Sequence, residues 1–224
     1  YAKTYTSDNP NQAKWGVIDM EFNIIIPNQY AYISDLIEDI FLVKETLDGN
    51  SSGYINTQGE IILPTIFKEV LPFTEGFGRV ILQNGSYKVV NTEGRFITDT
   101  SYFYVSEFKN GYSEVSRTAN LGSNCLINTD GELVTDCIYN SINPYSEGFA
   151  LITNDLGYNY IDVTGEILLT DYASYSEDFL HGIAIIIQNG SYKMINTNGT
   201  IIVDDKEDII SSPTSDLFLV KEDT

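Results

Sequence analysis

The sequence predicts an all-β protein of six tandem antiparallel repeats, each of three to four strands. The favoured arrangement is a six-bladed β-propeller, with an open β-repeat superhelix as the alternative. Three observations predict it. A nine-residue phrase recurs along the chain, as in INTQGEIIL from Ile55, VNTEGRFIT from Val90, INTDGELVT from Ile127, IDVTGEILL from Ile161 and INTNGTIIV from Ile195, with IDMEFNIII from Ile18 as a degenerate copy. A second turn position follows the first at a constant 17 residues: Phe22 with Asp39, Gly59 with Gly76, Gly94 with Gly111, Gly131 with Gly148, Gly165 with Gly182 and Gly199 with Asp216. No window of useful length carries the i, i+3, i+4 pattern of an amphipathic helix.

The elements of one repeat read in order from the third. Phe77 to Leu82 is rich in β-formers and follows Glu75-Gly76. Asn84-Gly85 is the dipeptide of a type I′ hairpin turn, in which both central residues have positive φ. Tyr87 to Val90 returns as a second strand, Asn91 to Gly94 turns again, and Arg95 to Thr98 is a third. Tyr102 to Val105 forms a short fourth strand. The third strands of other repeats are continuously apolar (Ile24 to Ile26, Ile61 to Leu63, Ile167 to Leu169, Ile201 to Val203), which predicts burial on both faces between stacked neighbours. Aromatics recur eight residues after the first turn position (Tyr30, Phe67, Tyr102, Tyr139) and three before the second (Phe73, Phe108, Tyr145, Phe179). Recurrence at fixed offsets marks packing between repeats rather than a sugar-stacking platform.

The chain of 224 residues reads as a single domain, because repeats of 34 to 37 residues run through it without a linker. Its two ends admit two readings. Leu217 to Val220 is a first strand without a second, and pairing it with Ala13 to Ile18 would close a ring. Alternatively, Tyr1 to Thr6 is itself the first strand of repeat one. The chain opens on Tyr1 rather than Met, as a processed product or an excised part would.

Asp and Glu number 32 against 12 Lys and Arg, a formal charge of −20. That field repels nucleic acid and anionic membrane surfaces. No apolar run approaches the ~20 residues of a membrane-spanning helix. The composition resembles that of an exported protein, extracellular or at the cell surface. Cys125 and Cys137 flank the turn at Asp130-Gly131 on neighbouring strands, so they can form a cross-strand disulfide or remain two buried thiols.

Length varies only in the first hairpin loop of a repeat, as between Lys44 and Ser52 and between Arg117 and Asn124. Insertions gathered on one edge of a stack are where binding loops are usually found. Glu45, Asp48, Asn50, Arg117 and Asn120 are therefore the candidate binding residues.

Chemistry has little to draw on. The lone His181 occupies a variable turn position, and no serine is flanked by nucleophile-elbow glycines. Zinc-ligand spacing is absent, and the charge run from Asp204 to Asp208 lacks the spacing of a calcium loop. Asp19 and Asp162 stand where other repeats carry Asn, an offset that suggests Asx-turn duty rather than a catalytic pair. No catalytic residue, metal site or cofactor is expected. Asn50, Asn84, Asn189 and Asn198 match the glycosylation acceptor pattern, which matters only in a source that glycosylates.

Trp15-Gly16-Val17-Ile18-Asp19, Thr74-Glu75-Gly76-Phe77 and Ser146-Glu147-Gly148-Phe149-Ala150 resemble the bacterial WG-repeat family over essentially the whole chain. Trp-Gly itself occurs once. Tyr87, Tyr158 and Tyr192 take the Trp position elsewhere, and Gly53 keeps the glycine. The resemblance implies β-structured repeats, often exported or surface-associated, and supplies no catalytic residues. The expected function is a non-enzymatic scaffold presenting hairpin loops to protein or glycan. The alternatives are a structural subunit assembling by strand addition and a secreted carbohydrate-active enzyme with paired carboxylates.

Overall fold

The computed structural model describes residues 1–6, 13–48, 50–120 and 122–204, and these contain strands and turns but no helix. They form two compact units, residues 1–108 with 129–131, and residues 109–128 with 132 onward.

The first unit holds three antiparallel sheets. One is β1 (Ala2–Tyr5), β2 (Trp15–Ile18) and β3 (Ile24–Tyr30), in that order. The next is β4 (Tyr32–Ile33), β5 (Ile40–Lys44), β6 (Ser52–Asn56) and β7 (Ile61–Phe67). The third is β8 (Glu69–Thr74), β9 (Phe77–Ile81) and β10 (Tyr87–Asn91), followed in the chain by β11 (Tyr104–Val105). In the second unit β12 (Tyr112–Ser116) pairs with β13 (Asn124–Asn128). Then come β14 (Ser141–Ile142), β15 (Phe149–Asn154) and β16 (Gly157–Asp162), and finally β17 (Tyr175–Ser176), β18 (Ile183–Gln188), β19 (Ser191–Asn196) and β20 (Ile201–Asp204). The edge of β2 opposite β3 is occupied by β1, which is the second of the two readings of the N-terminal residues. Leu217 to Val220, the other end of the ring-closing pair, lies outside the described residues, as do Asp216 and 205–208 of the charge run.

Packing between successive sheets follows the recurring aromatics. Tyr30, Phe67, Tyr102 and Tyr139 are buried, as are Phe73, Phe108, Tyr145 and Phe179. The ring just after one second-turn glycine meets the aromatic of the following repeat: Phe77 with Phe108 at 4.4 Å between centroids, Tyr112 with Tyr145 at 4.4 Å and Phe149 with Phe179 at 5.0 Å. Contacts of this type contribute about 0.5–1.5 kcal/mol beyond the area they bury. Buried tyrosines need a partner for the hydroxyl. Tyr54 donates to the Leu71 carbonyl, and Tyr145 to the Asp162 carbonyl at 2.7 Å. Burial pushes the phenols of Tyr54, Tyr145 and Tyr160 well above the usual range, so they stay protonated donors.

Within each unit the first-turn glycines seat against a carbonyl of an earlier segment. A Cβ added at Gly59 would lie 2.3 Å from the Ile25 carbonyl oxygen, and one at Gly165 2.5 Å from that of Val134. Gly94 meets Ile62 and Gly131 meets Ile97 in the same way. No side chain fits at these four positions, and at Gly199, where the nearest atom is 3.2 Å away, the positive φ of 73° favours glycine.

Two expectations require correction. The continuous apolar third strands are not buried on both faces: Ile24, Ile61, Ile167 and Ile201 are exposed, whereas Ile26, Leu63 and Leu169 are buried. The first residue of each strand leaves the core face because the tight turn places it at the sheet margin. The Asn84-Gly85 turn is not type I′ either, because only Gly85 has positive φ. The Gly85 N–H returns to the Leu82 carbonyl and the Leu82 N–H reaches Ser86, a type I turn with a bulge. Consecutive positive φ values occur instead at Glu38-Asp39, Glu75-Gly76, Asn110-Gly111, Glu147-Gly148, His181-Gly182 and Asn189-Gly190.

The glycine after the Trp position has a separate cause. A Cβ at Gly16 would fall 2.5 Å from the Ile26 carbonyl oxygen and one at Gly53 2.4 Å from that of Leu63. The third strand closes tightly there, with Pro27 and Pro64 beside the register shifts that relieve the ladder. Lys88, Cys125, Asn159 and Lys193 stand at that position in the other four repeats. Beside the first three the third segment makes only isolated bridges, whereas β20 pairs with β19 beside Lys193, so loss of the glycine does not by itself exclude a ladder. Side chains take over the lost pairing. Thr98 accepts from the Val89 N–H and Thr135 from the Leu126 N–H. Fully buried Asn159 donates to the Leu169 carbonyl and accepts its N–H.

Candidate functional site

The first-hairpin loops are exposed and internally braced. In one, Glu45 donates its N–H to Ser51, Thr46 donates to the Asp48 carboxylate, and Asp48 also accepts the Asn50 N–H at 3.3 Å. The Glu45 carboxylate accepts from Thr65, anchoring the loop to its third strand. These bonds hold the Asp48 carboxylate below its usual range, the Thr46 hydroxyl contributing most. Glu45, Asp48 and Asn50 thus share one loop of the first unit. Arg117 and Asn120 share the other, in the second unit, where Asn120 donates its N–H to Thr118 and its carbonyl accepts from Ser123. All five candidate residues are exposed.

Asp19 and Asp162 act as turn acceptors. Asp19 Oδ1 accepts the N–H groups of Glu21 and Asn23, and Asp162 Oδ1 those of Thr164 and Glu166. Asn56, Asn91 and Asn196 bind the corresponding N–H groups in their own turns. Hydrogen bonds from Asn23 and Thr164 respectively lower the two carboxyls, opposite to what a general acid needs. His181 lies exposed on its turn, where the Glu147 carboxylate accepts its backbone N–H at 2.7 Å and that of Gly182 at 2.6 Å. Among the described residues no three His, Cys, Asp or Glu side chains converge as a metal site. The four acceptor-pattern asparagines are exposed.

Cys125 and Cys137 form a disulfide, with Cα atoms 4.3 Å apart. It ties the irregular third segment, residues 133–139, to β13, where that segment makes only isolated bridges. Beside it lies a groove of about 490 Å³ lined by Arg117, residues 133–139, Gly165 and Ile167. Sequence reasoning missed this groove, because the continuous apolar runs were assigned to the core. The isolated signal was Leu133, at the offset where Ile24, Ile61 and Ile167 are also exposed. Glu114 was missed too. It is half-buried, accepts from Asn124 at 2.8 Å and from the Ile142 N–H at 3.2 Å, and burial raises its carboxyl.

Three segments, residues 15–46, 53–87 and 126–155, match the family described as WG containing repeat. The sequence has no significant match among curated proteins. Among solved structures the chain is similar to BamB from Moraxella catarrhalis, at 12% identity and a TM-score of 0.35, over 75% of this chain and 58% of that one. It is also similar to Kluyveromyces lactis Hsv2, at 11% identity and a TM-score of 0.39, over 87% and 69% of the two chains. The WD40 β-propeller domain of Doa1 aligns at 13% identity and a TM-score of 0.31, over 93% and 80%. Similarity at this level carries no statement about function.

Proposed function

We propose that this chain, which carries WG repeats, is a non-enzymatic interaction scaffold that binds protein or glycan through its first-hairpin loops outside the cell or at its surface. The observation that carries this is the confinement of length variation to two exposed, self-braced loops on a scaffold of otherwise constant spacing. The disulfide supports an oxidising compartment. No helix among the described residues is long and apolar enough to cross a membrane. The turn duty of Asp19 and Asp162 favours binding over hydrolysis. The test compares the biotinylated chain with a variant whose loops at 45–51 and 117–123 are cut to two-residue turns, on arrayed glycans and cell-surface proteins. Retention of a signal that the shortened variant lacks is expected. Equal signals from both, or none from the parent chain, would refute the reading.

A further inference from the structure

We infer that the groove beside the Cys125–Cys137 disulfide is a docking site for an extended peptide of alternating basic and aliphatic residues. The first element is apolar: Leu133, Ile138 and Ile167 line the groove at 43%, 54% and 47% exposure. Arg117, Thr135 and Asp136 add polar groups to the lining, and Tyr139 is buried, so the groove offers no ring face for a sugar. The second element is backbone. Asp136, Cys137 and Ile138 make no main-chain hydrogen bond among the described residues, so their N–H and C=O groups are open to an incoming extended segment. The disulfide pins the middle of this segment to β13, so the groove is formed in advance and little ordering accompanies binding.

Charge selects the occupant. Asp136 and Arg117 line the groove with opposite charges, and the exposed Glu132 and Glu166 next to Leu133 and Ile167 tip its margin to negative. Among the described residues the second unit carries eleven carboxylates (Glu114, Glu132, Asp136, Glu147, Asp155, Asp162, Glu166, Asp171, Glu177, Asp178 and Asp204) against three basic groups (Lys109, Arg117 and Lys193). A second copy of a chain with formal charge −20 is repelled from such a surface, whereas lysine or arginine between aliphatic residues complements it.

This goes beyond the loop reading, since the groove is a separate surface that shares only Arg117 with a candidate loop. The probe is a fluorescein-labelled heptapeptide of alternating lysine and valine, followed by fluorescence anisotropy against the full chain at 150 mM salt. Binding is expected, weakened at least tenfold by Ile138→Lys and separately by Ile167→Lys. The same charge change at exposed Ile61, in the other unit, should leave it within twofold. A probe N-methylated at alternate amides is expected to lose binding. No binding by the parent chain, equal loss with Ile61→Lys, or full binding by the N-methylated probe overturns the proposal. So does a concentration-dependent dimer in sedimentation that Ile138→Lys abolishes, which would identify the occupant as a second copy. Circular dichroism checks that each variant folds. Shortening the 45–51 loop should not alter peptide affinity, so the groove and the loops fail separately.

Discussion

Replacing Asn159 by Ala probes the substitution of side chain for strand ladder. Asn159 is fully buried, and its amide makes three bonds: Nδ2 to the Leu169 carbonyl at 2.8 Å, and Oδ1 from the N–H groups of Leu169 at 2.9 Å and Tyr160 at 2.8 Å. Alanine removes all three and leaves three main-chain groups in a region closed to water. Each buried unpaired group costs about 1–3 kcal/mol. Even at the low end, Asn159→Ala should destabilise the second unit by about 3 kcal/mol. At 1.4 kcal/mol per factor of ten, that is a roughly hundredfold loss of hydrogen-exchange protection at the Leu169 and Tyr160 amides. Exchange followed by nuclear magnetic resonance reads the local effect, and urea unfolding followed by circular dichroism reads the global one. A loss below about 1 kcal/mol would show that the backbone re-pairs as in β6 and β7, and would refute the assignment of this pairing to the Asn159 side chain.

Four further outcomes follow from the same geometry. Gly53→Ala places a methyl 2.4 Å from the Leu63 carbonyl oxygen, so urea titration should show a loss of about 1–3 kcal/mol from overpacking. The Cys125→Ser, Cys137→Ser double variant opens a loop with a sequence separation of 12, and calorimetry should show a loss of about 3 kcal/mol, equal to that caused by reductant on the parent chain. The Glu114 carboxyl is raised above 4.5 in the folded chain, so its charged form opposes folding, and that cost is relieved as pH falls through the raised value toward 4.5. Glu114→Gln should therefore raise the melting temperature at pH 7 and lose that advantage by pH 4, with a loss at pH 7 counting against it. Asp162 has the opposite sign: its carboxyl is lowered from 3.8, so its contribution is present above 3.8 and lost as pH falls below it. Asp162→Asn should match the parent at pH 7 and flatten the acid limb of the melting profile; an unchanged acid limb would contradict the turn assignment.

The repeat was legible in the sequence because its most constrained positions are backbone positions. Gly59 and Gly165 have no room for a side chain, and Asn56, Asn91 and Asp162 each close a turn through one oxygen, so few residue types satisfy either place. The aromatic columns were legible for a similar reason, since Phe108, Tyr145 and Phe179 fill equivalent gaps. The exposure of Ile24 and Ile61 was not, because a continuous apolar run does not show which end of a strand leaves the sheet margin. The turn type at Asn84-Gly85 was missed because the same dipeptide suits both a type I′ turn and a bulged type I turn. The groove escaped notice because it exists through the loss of a ladder. The sequence left Cys125 and Cys137 as either a disulfide or two thiols, and only the fold shows the bond holding an unladdered segment to β13.

The fit of each turn glycine against the strand before it gives the chain a grain. The socket for Gly59 is the carbonyl of Ile25 and that for Gly199 is Leu168, always a residue made earlier. During synthesis from the N-terminus, a turn glycine therefore finds its socket within its own unit already built, and does not wait for a later residue to supply it. Shortening the chain from its C-terminal end one repeat at a time should leave the remaining repeats protected against hydrogen exchange, whereas removal from the front should unseat the first that remains. Equal damage from the two directions would show that the stack has no such order.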